Sequence, residues 1–435
     1  MIEKALSEAF TKSLKGDCIM TEQKKLHVLP PYEETPIMHK TKPGESMPEE
    51  DFENYLKEIR HLAQNEFDRM TPYIEENRKF PQDFFPIAIK HDLYRFALPK
   101  EYGGWGLSEK QILQVQEEFS RTQGGIRMHL HHASDMNWRI LDNFGSQELK
   151  DKYMNKFQDK SIYANFALTE KSGGTGADLH TLAVKDGDDW VINGEKTLIS
   201  HADVADFTYL IVVTDPDKEG DERLSAFFVP TNTPGFESNE MPLMMGCRGA
   251  GHADLKFTNM RVPDKYMLGK RGEGMKVAIS SLSLSRAHIA DSNLGMAQRM
   301  LEMSIAYSKD RVTFGKPLCK RQSIIFEIAD MGARIHALRL MLWDLAKDYD
   351  EGKDITKKAS LAKLESINTV KLVSDYMLEI FGGIGYFQDN PYGPAERLYR
   401  DCRAMWLEEG PRSVQRLTAG RLLIKDGGNT PITSL

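Results

Sequence analysis

Two adjacent carboxylates, Glu408 and Glu409, stand directly before Gly410 and Pro411 in the run LEEGPRSVQR. A Gly-Pro pair interrupts the chain before it and suits the start of a new helix, so the two acids lie at a break. A carboxylate held at such a break can serve as a positioned base. The same acids can instead complement the positive end of the helix that follows, while Gly382, Gly383 and Gly385 end the helix before. This segment alone leaves both readings open.

Two further stretches carry polar groups at short spacing. FALTEKSGGTGAD, residues 166–178, sets Thr169 and Thr175 around glycines, which taken alone is a Gly-rich turn between strands. In GIRMHLHHASD, His129 and His132 share a helix face. No acidic or sulfur ligand accompanies them at metal-site spacing, so the histidines read as polar pocket or solvated residues and no metal is expected.

The elements that position these groups follow from length and texture. The chain has 435 residues, 40% hydrophobic and 28% charged, which is ordinary for a globular protein and too long for one core. A net charge of −7 gives no general attraction to phosphate backbones, so nucleic acid is not the expected partner. The cysteines Cys18, Cys247, Cys319 and Cys402 are widely spaced with no CxxC, which points to free thiols in a reducing compartment. The start, MIEKALSEAFTKSLKGD, lacks the apolar core of a signal peptide, and runs such as Leu210–Val213 are too short to span a bilayer. A cytoplasmic protein with no membrane partner is expected.

Residues 1–48, with Pro30, Pro31, Pro36, Pro43 and Pro48, read as an extension wrapped over a surface or partly disordered. Phe52, Tyr55, Leu56, Ile59, Leu62, Ala63 and Phe67 then recur at helical spacing and open an α-helical region over 49–162. Over 163–273 the runs DWVING, FTYLIVVTD, LSAFFVPTN and ADLKFTNMRVP are short, β-branched and separated by turns, which predicts a small β domain. Helical periodicity returns over 274–435, clearest in Ile324, Ile328, Met331, Ile335, Leu338 and Leu342.

The glycine-rich turn IFGGIGYF, the YRD run and the Glu-Gly pair, in this order, resemble the acyl-CoA dehydrogenase family, and matching motifs span about residues 50–425. The resemblance implies an α+β fold: an N-terminal α-helical domain, a middle β-barrel or sandwich domain and a C-terminal four-helix bundle. It also implies FAD, a homotetramer or homodimer, and oxidation of an acyl-CoA to its 2,3-enoyl-CoA with electrons passed to an electron-transferring flavoprotein. In that scheme Glu409 removes the α proton, and Glu408, its neighbour, points elsewhere.

The cofactor positions implied by the resemblance are Phe166, Leu168, Thr169, Gly174 and Thr175 in the first β motif. Ser200 takes a hydroxyl role in the next strand, where Leu198 stands in place of the usual aromatic residue. In KDRVTFGKPLCKRQS, Arg311, Phe314 and Gln322 are similar to residues that reach a neighbouring subunit's FAD. Gly383 belongs to the glycine turn, and Glu379 replaces the usual Gln before it, just as Pro411 and Ser413 depart from the pattern. On the substrate side the resemblance implies Arg286 and Gly410.

Arg127 falls where glutaryl-CoA-oxidising members carry an arginine for the distal carboxylate, although a surface arginine is the alternative. Met405, Trp406, Leu407, Phe381 and Tyr386 either wall a dry pocket or belong to the core. The competing functions are an enoyl-CoA reductase working with an electron-transferring flavoprotein, an oxygen-using relative, for which the Glu base is unusual, and a non-catalytic flavin-binding relative. The last should carry a basic C-terminal patch, and the tail IKDGGNTPITSL has one lysine.

Overall fold

Three acids, Glu49, Glu50 and Asp51, open helix α1 (Glu49–Leu62) at its positive end, and Phe52, Tyr55, Ile59 and Leu62 bury one face of it. The computed structural model describes residues 34–174, 178–388 and 390–431, all within one compact unit. Thr175 and Cys18 lie outside the described residues. A π-turn, Ala63–Phe67, joins α1 to α2 (Asp68–Asn77), and α3 (Phe84–Lys90) and α4 (Glu109–Phe119) follow. Ser108 and Gln111 form a capping box at the start of α4. The layer is completed by α5 (Gly124–Ser134), α6 (Met136–Phe144) and α7 (Gln147–Tyr153).

Residues 34–48 are pinned to this layer. Met38 donates its backbone N–H to Glu58 Oε2 at 2.6 Å, and His39 sits between Glu58 and Asp92, 3.1 Å from each. The His39 ring packs edge-on against Tyr55 and Trp105. This segment therefore joins the core of the helical layer.

The strands are β1 (Ala164–Ala167), β2 (Leu182–Asp186), β3 (Asp189–Ile199), β4 (Phe207–Val213), β5 (Leu224–Pro230), β6 (Phe236–Glu240), β7 (Ala253–Pro263) and β8 (Met267–Leu268). They form one sheet in the order β6-β7-β3-β2-β4-β5-β8, with β1 parallel beside β4 so that Phe166 faces Tyr209 across the ladder. Trp190, Leu210, Val212, Phe227, Val229, Leu255 and Phe257 fill its core. Where β3 pairs with β7 the register shifts between Ile192 and Gly194 and again between Lys196 and Ile199. Such bulges bend a strand and re-aim its side chains, here at the end that carries Leu198.

The C-terminal bundle consists of α8 (Gly274–Asp310), α9 (Gln322–Asp350), α10 (Thr356–Phe381) and α12 (Arg412–Lys425), with α11 (Ala395–Asp401) across it. A small hairpin, β9 (Val312–Thr313) and β10 (Lys316–Pro317), joins α8 to α9. Leu294, Met300, Met331, Leu338, Leu342, Val370, Val373 and Met377 interlock at its centre. Phe381 and Met405 belong to this core, with Phe381 stacked on Tyr307 at 4.5 Å, and Trp406 packs against it. Leu407 and Tyr386 are exposed, so neither walls a dry pocket within the chain. Their proximity in sequence to Glu409 and to the glycine turn does not carry over into burial. Among the described residues no helix is long and apolar enough to cross a membrane.

Candidate active site

The chain breaks where the Gly-Pro pair requires it to. Glu409 has φ 53° and Gly410 φ 95°, both left-handed, and α12 begins at Arg412. A left-handed glutamate costs on the order of 1 kcal/mol and persists only where its surroundings hold it. Side chains from three helices do so. Lys363 of α10 donates from Nζ to the carbonyl oxygens of Glu408 and, at 2.9 Å, Gly410. Arg286 of α8 donates from Nε to the Glu409 carbonyl at 3.2 Å. Gln415 of α12 donates from Nε2 to the Glu409 and Gly410 carbonyls at 3.2 and 3.0 Å.

This setting raises the Glu409 carboxyl to about 7. Burial is the main cause; Lys363 and Arg286 oppose it, and Glu408 and Asp135 reinforce it. A carboxyl that changes charge near neutrality is suited to proton abstraction at physiological pH. Burial lowers Lys363 in turn to about 8 against the pull of Glu409 and Glu408.

The structure corrects the reading of Arg127 as a surface residue. Its side chain is 0% exposed and donates from Nη1 and Nη2 to the two Glu408 oxygens, each at 3.0 Å. A guanidinium already engaged by an internal carboxylate is not free to select a distal carboxylate on a substrate. The Glu408 carboxylate is held in this ion pair and is only 18% exposed, rather than turned out into solvent. Nη2 also lies 3.8 Å from Cys247 Sγ.

On the β-domain side, residues 166–174 and the end of β3 converge. Thr197 donates its N–H to the Thr169 carbonyl at 2.8 Å, and buried Lys196 donates to the Leu168 carbonyl at 2.9 Å and to Glu170 Oε1 at 2.8 Å. Phe166 precedes them on β1. A Cβ built on Gly174 would lie 3.1 Å from Thr169 Oγ1, so the glycine keeps open the space in front of that hydroxyl. Leu198, with φ 60°, is 57% exposed, and Ser200 Oγ lies 3.1 Å from His252 Nε2. The buried His252 Nδ1 and His132 Nδ1 have no partner among the described residues. An exposed apolar side chain, hydroxyls, an open cradle and unsatisfied ring nitrogens suit a planar polar ring system with phosphate groups.

A single carboxylate ties the two sides together. Asp401, the aspartate of the YRD run, accepts from the Gly124 N–H at 2.9 Å and the Cys247 N–H at 2.7 Å. A Cβ on Gly124 would strike Cys247 Sγ at 2.6 Å, so the start of α5 can approach this junction only as glycine.

Other expected cofactor residues lie apart from this group. Arg311 ends α8 with its side chain exposed, Phe314 at the hairpin tip is 98% exposed with φ 47°, and Gln322 opens α9 exposed. Glu379 is exposed on α10 beside Glu327, whose carboxyl is raised by burial and by the Glu379 charge, and Gly383 faces open space. Sequence reasoning missed Lys363, Lys196, Asp401, His252 and Gln415. Asp401, Lys196 and Gln415 lay in or beside recognised runs without being singled out, and Lys363 and His252 carry no local signal.

Comparison with known proteins bears on the whole chain. Family models for the acyl-CoA dehydrogenase N-terminal, middle and C-terminal domains match residues 49–160, 165–260 and 272–424. An acyl-CoA dehydrogenase of Bacillus subtilis is 33% identical over 85% of this chain and 96% of its own length. The caffeyl-CoA reductase-Etf complex subunit CarC of Acetobacterium woodii is 30% identical over 86% and 99%. The solved butyryl-CoA dehydrogenase of Megasphaera elsdenii superimposes with a TM-score of 0.81 at 28% identity, over 86% of this chain and 98% of that one. A buried carboxylate raised toward neutrality on a turn held by the helical bundle, in a chain matched by all three domain models, makes this protein a member of the acyl-CoA dehydrogenase family, oxidoreductases acting on CH–CH groups.

Proposed function

We propose that the protein oxidises an acyl-CoA to its 2,3-enoyl-CoA, with Glu409 as the base that takes the α proton. The observation that carries this is the Glu409 carboxyl at about 7, held on a left-handed turn by Arg286, Lys363 and Gln415. At neutral pH roughly half of such carboxyls are ionised, so Glu409 can accept a proton and later release it without a large change in conditions.

The residues on the β side fit FAD: Thr169 and Ser200 offer hydroxyls, Gly174 leaves the cradle open, and Phe166, Leu168 and Leu198 supply apolar cover. Bound there, FAD would supply the acceptor for the β hydride. Thr175 belongs to the same motif. Arg311, Phe314, Gln322, Glu379 and Gly383 are proposed to meet FAD across a subunit contact in a homotetramer or homodimer. The full exposure of Phe314, with Val312, Ile325 and Phe326 also exposed, supports such a contact.

Arg286 and Gly410 are assigned to the substrate side of the turn. The proposed domains are 49–162, 163–273 and 274–435 behind an extension. A cytoplasmic setting accords with the free thiols Cys247, Cys319 and Cys402. An electron-transferring flavoprotein is the proposed acceptor.

The test is anaerobic addition of butyryl-CoA and other acyl-CoAs to FAD-loaded protein, following loss of the flavin's visible absorption. Bleaching with formation of the enoyl-CoA is the expected result, and no bleaching with any acyl-CoA would overturn the proposal. The second reading, reduction of an enoyl-CoA with an electron-transferring flavoprotein, is favoured by the similarity to the caffeyl-CoA reductase-Etf complex subunit. It predicts faster oxidation of the reduced flavin by enoyl-CoA than reduction by acyl-CoA.

A further inference from the structure

A lysine buried in a helical bundle normally brings its own carboxylate partner, because an unpaired buried charge is costly. Lys363, in the third turn of α10, is 0% exposed and forms no ion pair among the described residues. Its Nζ points instead into the break before α12 and donates to the carbonyl oxygens of Glu408 and Gly410, the two that flank Glu409 in the chain. The left-handed glutamate is thus clasped on both sides by one ammonium.

We propose that Lys363 is a positioning residue for Glu409: its ammonium fixes the strained turn by the two flanking carbonyls and supplies the positive charge against which the Glu409 carboxylate forms. This rests on the reading of Glu409 as the base. The other charges around the turn do not replace it. Arg286 keeps its charge but reaches from α8 only to the Glu409 carbonyl, through one hydrogen bond of 3.2 Å, and acts on the Glu409 carboxyl less than Lys363 does. Glu408, on the same loop, is engaged by Arg127 of α5. Asp135, after α5, is paired with Arg139 at 2.8 Å, and the α5 histidines His131 and His132 are held neutral by burial. From α12 the turn receives only the uncharged Gln415 amide among the described contacts. Lys363 heads the charged groups that act on Glu409, and it opposes the burial that raises that carboxyl.

The sign follows directly. The ammonium favours the Glu409 anion, so removing it moves the carboxyl upward and leaves less base at neutral pH. The test reads the carboxyl itself. In pH-difference infrared spectra of the FAD-loaded protein without acyl-CoA, the protonated-carboxyl band of Glu409 is assigned by its loss in Glu409→Gln. The wild-type midpoint is expected at about 7. In Lys363→Met and Lys363→Gln it is expected to rise by roughly 1 pH unit or more. Midpoints unchanged in folded variants would overturn the proposal.

If neither variant folds, the wild-type curve decides. A titration spread over the range in which Lys363 also loses its proton, near 8, supports the coupling. A single sharp step at an ordinary carboxyl pH overturns it. Flavin reduction by butyryl-CoA is measured separately across pH. If no acyl-CoA bleaches the flavin, the functional reading fails, while the infrared midpoints still report whether Lys363 governs Glu409.

Discussion

Arg127 and Glu408, 281 residues apart in sequence, meet through two parallel hydrogen bonds of 3.0 Å and place a paired charge beside the proposed base. Removing one partner from such a pair is far more damaging than the pair is stabilising, because the other charge stays buried. Glu408→Gln is therefore expected to destabilise the protein by about 3 kcal/mol, the lower part of the usual range because Glu408 keeps some contact with solvent. Glu409→Gln should cost much less. Denaturant midpoints of the two FAD-loaded variants measure this, and a Glu408→Gln midpoint equal to wild type would refute the importance of the pair.

His39 anchors residues 34–48 by bridging two carboxylates. Burial alone would lower it, but Asp92 and Glu58 raise it to about 9 from an ordinary value of 6.5. A raised histidine contributes stability that is complete below 6.5 and lost as pH rises through 9. Wild-type protein should lose about 2–3 kcal/mol from this source across that window. His39→Gln should lack this loss and start less stable at pH 6. Chemical denaturation at a series of pH values checks it, and parallel pH curves for the two proteins would contradict it.

Gly174 keeps open the space in front of the Thr169 hydroxyl. Gly174→Ala sets a methyl group 3.1 Å from Thr169 Oγ1, a contact relieved by a shift of a few tenths of an ångström, in the open space proposed for FAD. FAD affinity is expected to fall by about tenfold or more, with the melting curve of the apoprotein little changed. Titration of apoprotein with FAD, read by quenching of flavin fluorescence, measures it.

Much of the architecture was legible because it is local. The apolar spacing from Phe52 to Phe67 predicts a buried helical face and α1 has it, while the β-branched runs after Tyr163 become β1 to β8. The Gly-Pro break at 410–411 likewise ends one element and starts another. What escaped was pairing over long distance. Nothing in GIRMHLHHASD marks Arg127 as the partner of Glu408, and Lys363 sits in an amphipathic pattern where a lysine normally faces water. Periodicity tells which face of a helix is buried, not which buried group meets which. The exposed Leu407 and Tyr386 show the converse error, since adjacency to a motif does not imply burial. The bridge at His39 was equally hidden, in a proline-rich segment whose composition reads as an extension wrapped over a surface or partly disordered.

The central claim is that Glu409 is the proton-abstracting base, and the most direct measurement is the rate of anaerobic flavin reduction by acyl-CoA in wild type and Glu409→Gln across pH. In wild type the rate should rise with pH through a midpoint at about 7, as the carboxylate forms. In Glu409→Gln, which is nearly isosteric, FAD should remain bound while the rate falls by roughly 10²–10⁴ and loses that midpoint. Near-normal reduction in a folded, FAD-loaded Glu409→Gln protein, with the wild-type pH profile intact, would contradict the account.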